Sequence, residues 1–166
     1  MSILKVNQIQ DTTGKIILGS TGSILQVVNA NSIGVGGAIT TTSASYVTTG
    51  LSVSITPLSA SSKLYVELVG NAQFLAATDV GDNGVAFRIY RDGTAINSTN
   101  SGDGLYWRND SGAQNHHGLI TITHYVNANS TATTTFTLFY ADFWGGTGSY
   151  SRDWGTHQFT VMEIAA

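Results

Sequence analysis

Six aromatic residues, four histidines and a few acid–amide pairs are the side chains of this sequence that could do chemistry. Tyr106, Trp107, Phe143, Trp144, Tyr150 and Trp154 lie between apolar stretches rather than inside them, with Asp103, Asn109, Asp110 and Asp153 close by in sequence. Flat rings beside polar groups suit sugars, whose C–H faces stack on the ring while amides and carboxylates take the hydroxyls. The same rings can instead cap the end of a sandwich or fill a subunit contact, where aromatic residues are enriched. Tyr106, Trp107, Asp110, Trp144, Tyr150 and Trp154 are therefore the candidate receptor-binding set, with packing as the competing use. His116, His117, His124 and His157 could ligate zinc or nickel, and around a threefold axis one imidazole per chain would be enough. Neighbouring strand residues point to opposite faces, so His116 and His117 could share an ion only from a loop. Without cysteine or a recognisable ligand spacing, ordinary hydrogen bonding is the expected role of these histidines, and no metal site is assigned.

The acids carry less. Asp79, Asp82, Asn83 and Asp103 sit near glycines, as calcium ligands do, but the twelve-residue loop with its closing Glu is missing. Turn chemistry accounts for Asx residues beside Gly. Glu67 and Glu163, the only glutamates, both fall in predicted strands and have no partner acid for hydrolysis. There is no Gly-x-Ser-x-Gly elbow, and Gly34-Val-Gly-Gly37 neither has dinucleotide-binding spacing nor opens a helix. The expectation is a non-enzyme without a cofactor. The tripeptides at Asn97, Asn109 and Asn129 match the glycosylation pattern, yet without an export signal they read as loop chemistry.

Period-2 alternation places these residues on a β framework. Ile24–Val28 is a first strand. Leu51, Val53 and Ile55 alternate within 46–55, and Pro57 ends that run because it can donate no ladder bond. Leu64, Val66 and Leu68 mark a strand over 63–69. A hairpin follows, 85–90 returning at 95–96 through Asp92-Gly93, a pair that tolerates positive φ. Strands at 119–126, 133–141 (Phe136, Leu138, Tyr140) and 157–164 (Phe159, Val161) complete about eight, with no helix. An all-β, antiparallel, jelly-roll-like sandwich is predicted. Its long gaps, 70–84, 97–116 and 142–156, hold the unusual side chains, and loops longer than about 12 residues are usually functional or disordered.

Composition agrees. At 166 residues the chain is about one domain long, and a domain of ~150 residues buries roughly 68–70% of its unfolded surface. Charged residues make up 10%, against about 25% in ordinary soluble domains. Thr, Ser, Asn and 19 Gly take their place. With a net charge of −3 and scattered Lys and Arg, there is no footprint for a nucleic-acid backbone. No apolar run reaches the roughly 18 residues of a membrane helix, so no membrane insertion is expected.

Residues 1–18 stand apart. Ile3, Val6 and Ile9, then Ile16 and Ile17, are apolar positions flanking a turn at 11–14. A lone hairpin is marginal in water, and the segment has no continuous apolar core of about 7–15 residues to serve as a secretion signal. It reads as a docking arm whose apolar residues contact other chains. The expected organisation is arm and flexible joint over 1–23, then a sandwich over 24–166 that needs no help from the arm.

Several pieces taken in order resemble the virion structural proteins of tailed bacteriophages, especially cyanophages and marine phages. They are Ser2–Gly14, Ser45–Pro57, Ser61–Leu64, Phe87–Thr94 and Val161–Ile164. The resemblance implies a tail-fibre-type virion component made in the host cytoplasm. It implies a homotrimeric sandwich joined through its N-terminal arm to other phage tail or capsid proteins, with far-end loops facing a host-surface glycan or protein. The chain has no extended shaft of repeats, so a short fibre or spike tip fits best. A capsid decoration (cement) protein and a carbohydrate-binding module are the alternatives.

Overall fold

The computed structural model describes residues 9–10, 12, 16–18, 21–33, 39–75, 83–96, 106–109, 115–143, 147–150 and 156–166. Every regular element among them is a strand: β1 (Ile9–Gln10), β2 (Ile16–Leu18), β3 (Ile24–Ile33), β4 (Ile39–Thr41), β5 (Val47–Ile55), β6 (Lys63–Leu75), β7 (Asn83–Arg91), β8 (Thr94–Ala95), β9 (Tyr106–Asn109), β10 (Asn115–Asn127), β11 (Thr134–Phe143), β12 (Thr147–Tyr150) and β13 (Thr156–Ile164). All pair antiparallel. One large sheet runs β3-β13-β6-β12-β4, with β10 on the other side of β6. The second runs β5-β11-β7-β8, with β9 also on β7. The chain changes sheet between β4 and β5, β5 and β6, β6 and β7, β9 and β10, β10 and β11, and β11 and β12. That repeated crossing gives the antiparallel, jelly-roll-like sandwich.

Alternation builds the core. Leu51, Val53 and Ile55 face Leu64, Val66 and Leu68 across the sandwich, joined by Phe87, Ile89, Phe136, Leu138, Phe159 and Val161, all buried. The rings of Phe87 and Tyr140 stack at 6.4 Å and 14°, and burial pushes the Tyr140 phenol up to about 12. The 91–93 turn is as expected, with Asp92 at φ 48° and Gly93 at φ 83°. That double positive φ is the type I′ geometry whose twist matches the flanking strands.

The eight predicted strands are present, but several are longer and five short ones join them. β6 continues to Leu75, β7 begins at Asn83 and β10 at Asn115, while β9 and β12 lie within spans predicted as loops. These extensions are rich in Gly, Asn, Gln and His, so local alternation is faint. Sheet neighbours hold them: β10 pairs with β6 without a break from Asn127↔Lys63 to Asn115↔Leu75. The predicted hairpin in the arm is also found, β1 and β2 pairing as a sheet of their own through Ile9↔Leu18 and Gln10↔Ile16.

Candidate functional site

The sandwich has two unlike poles. At one, β5 turns into β6 through 56–62, β7 into β8 at 92–93, and β10 into β11 through 128–133. This pole is cross-linked. The Arg91 guanidinium donates to the carbonyls of Asn127 (2.7 Å) and Ala128 (2.6 Å) and to Thr134 Oγ1 (2.9 Å). The Asp92 carboxylate takes the Thr135 amide at 2.8 Å and the Thr134 hydroxyl. Asn129 N and Ala128 N donate to the carbonyls of Ala60 and Ser62, tying the two sheets together.

Glu163 completes this pole. Its carboxylate is buried on β13 and accepts the Leu58 amide at 2.9 Å, the Ser59 amide at 3.1 Å and Gln26 Nε2 at 2.6 Å. Burial alone would raise its pKa; the Leu58 amide first, then Gln26 and the Ser59 amide, outweigh that and hold it below the ordinary glutamate value. An ionised acid so fully engaged is a structural clamp on the 56–62 turn. The joint to the arm lies at the same pole, where Gly22 N donates to Ala165 O at 2.8 Å and Ala165 N to Ser23 O at 2.9 Å.

The opposite pole gathers the far ends of β6, β7, β10 and β11 together with β4, β9 and β12. Three of the candidate receptor-binding residues fall there on strands. Trp107 and Tyr106 pair in register with Val85 and Ala86, and Tyr150 pairs with Ile39. Tyr106 and Trp107 thus belong to one sheet and Tyr150 to the other. Asp110, Trp144 and Trp154 lie outside the described residues, as do Ile3 and Val6 of the arm and Asp79, Asp82 and Asp103. Ile9, Ile16 and Ile17 lie on the β1–β2 hairpin.

His116 and His117 occupy β10, opposite Phe74 and Gln73, and not the loop that a shared ion would require. His157 is buried, its Nε2 2.7 Å from the Asn71 carbonyl. His124 stands in the inner row of β10 beside Val66, and burial lowers its pKa. Among the described residues, no three His, Cys, Asp or Glu side chains come together as a metal site would need.

Two groupings were missed in the sequence. Glu163 follows Phe159 and Val161 at period 2, which is the signal that it points inward. On the outer face of the second sheet, the Arg88 guanidinium lies 4.2 Å over the Tyr46 ring, and Tyr90 packs at 4.1 Å against Phe139. Tyr46 and Phe139 are far apart in sequence, and only strand pairing joins them.

No protein-family model and no characterised protein sequence matches the chain. Among solved structures it is similar to Eiger TNF from S. frugiperda, with 9% identity, TM-score 0.44, and coverage of 84% of this chain and 94% of that one. It is also similar to a chain of the T13 particle of IBDV, with 12% identity, TM-score 0.41, and coverage of 97% and 40%. A chain of the infectious bursal disease virus Gx strain gives 15% identity, TM-score 0.40, and coverage of 87% and 39%. The chain spans about two fifths of the length of these viral chains.

Proposed function

We propose that the chain is a non-enzymatic structural module of a phage virion, a short tail-fibre or adhesion tip that meets the host surface. The observation that carries this reading is the separation of the two poles. The joint to the N-terminal arm is fixed by the Gly22–Ala165 and Ala165–Ser23 hydrogen bonds at the cross-linked pole. The aromatic strands β9 and β12 gather at the other. A module held at one end and free at the other is what an adhesion tip requires. The ordered series of phage-like sequence pieces supports the same reading. So does the low charge, since contacts made through Thr, Ser and Asn depend little on salt. Three copies per tip is the fibre arrangement.

The arm provides the test. Deleting residues 1–18 should leave a folded sandwich, seen by circular dichroism and a cooperative melt, that no longer enters particles. A deletion product that still enters particles would overturn the tether, and one that fails to fold would make the arm part of the core. Imaging of whole particles then discriminates the positions: density at the tail tip supports the adhesion role, whereas density over the head lattice makes the chain a decoration protein.

A further inference from the structure

The outer face of the β3-β13-β6-β10 layer carries side chains that the reading above leaves unused. Strand register aligns Val27, Met162, Tyr65 and Tyr125 in a single row across all four strands. Val27 is 53% exposed and Tyr125 68%, and the Tyr65 and Tyr125 rings meet at 5.0 Å. Ile24, 54% exposed, adds to one end of the row. A continuous apolar row on an outer face marks a contact surface.

Several polar groups flanking the row pair with one another. Asn29 donates to Thr160 Oγ1 at 2.8 Å, Tyr65 OH to Glu67 at 3.1 Å, and Lys63 Nζ to Asn127. A sugar site needs amides and carboxylates turned toward the ligand. Here they are turned toward their neighbours, so the face suits burial against protein. Its charge pattern identifies which protein. Lys63 and Glu67 lie on β6, two residues to either side of Tyr65, and they are the only charged side chains on this face among the described residues.

We infer that this face packs against the same face of a second copy, about a two-fold axis running along the Val27–Met162–Tyr65–Tyr125 row. Such an axis reverses β6 on itself. It lays each apolar row on its partner and sets Lys63 of each copy opposite Glu67 of the other, so the contact is neutral and self-complementary. The size is adequate. Four strands about 4.8 Å apart and nine residues at about 3.3 Å each give roughly 500 Å² in projection. Side-chain relief brings that near the ~800 Å² of accessible surface each partner contributes to a standard interface. The inference rests on this face alone and does not depend on virion attachment or on threefold contacts elsewhere.

Native mass spectrometry and sedimentation of the full chain at tens of micromolar test it. The expected species have even copy number, a dimer, or a hexamer if threefold contacts also form. Val27→Ser with Tyr125→Ser should abolish pairing while circular dichroism stays unchanged. Lys63→Glu alone should weaken it by about tenfold or more, since it sets like charges face to face. Lys63→Glu combined with Glu67→Lys should restore it, because the swapped pair is again complementary. Only monomers or only trimers in the wild type would overturn the inference. So would even-numbered assemblies indifferent to Val27 and Tyr125, or a double charge swap no better than Lys63→Glu. Particle entry of the same variants is read separately, so failure here leaves the arm test standing.

Discussion

At the scale of single residues, two positions tolerate no other residue type. Glu163 gathers two backbone amides and Gln26 at a fully buried carboxylate. Hydrogen bonds to a charged group contribute about 1.5–3 kcal/mol each when one partner is removed. Glu163→Gln should therefore cost about 2–3 kcal/mol in urea unfolding at pH 7. Because the folded pKa lies below the ordinary value, the clamp's contribution is complete above the unfolded glutamate pKa of about 4.3 and is lost as pH falls through the folded pKa. The gap between wild type and Glu163→Gln should accordingly narrow below about pH 4. Gly70 is the second case. A Cβ there would sit 2.2 Å from His157 Cδ2, and that ring is held by its hydrogen bond to the Asn71 carbonyl. Gly70→Ala should lower stability by about 1–3 kcal/mol through overpacking. Adding His157→Ala should recover part of the loss, a coupling that thermal melts of the four variants would measure.

At the scale of elements, the β7–β8 hairpin shows how local and distant forces combine. Asp92-Gly93 encodes its turn locally, since both residues adopt positive φ. The carboxylate of Asp92 then reaches β11, taking the Thr135 amide and the Thr134 hydroxyl. Gly93→Ala, which forces a Cβ into the left-handed region, should destabilise by about 1–2 kcal/mol. Asp92→Ala should cost more, since it leaves β11 donors unpaired and also places an alanine at φ 48°. Denaturant midpoints of the two variants and their combination should show losses smaller than additive, because adjacent residues share the strain of one turn. The strong alternation of β5, β6, β11 and β13 made those strands readable from sequence. The outer halves of β6 and β10, rich in Gly, Asn and His, were not, nor were β4, β9 and β12, which are only three or four residues long and gain strand geometry by pairing.

At the scale of the whole molecule, polarity is the main consequence of the fold. Antiparallel strands that cross repeatedly between the two sheets place the 56–62, 92–93 and 128–133 turns at one end and β4, β9 and β12 at the other. Gly22 and Ser23 are bonded to Ala165 at the cross-linked end, and under the proposed tether removing residues 1–18 is expected to spare the sandwich and cost only attachment. By itself, the sequence determined the all-β class, the sandwich, the positions of its main strands and the Asp92-Gly93 turn. Those follow from side-chain periodicity and turn chemistry, which act over a few residues. Tertiary structure alone decided that Glu163 is a buried clamp, and that Tyr106 and Trp107 lie on a different sheet from Tyr150. It alone aligned Val27, Met162, Tyr65 and Tyr125, residues from four separate strands, in one row on an outer face. Those depend on strand order and register, set by pairings between residues as distant as Val27 and Met162, and such pairings are not encoded in any local pattern.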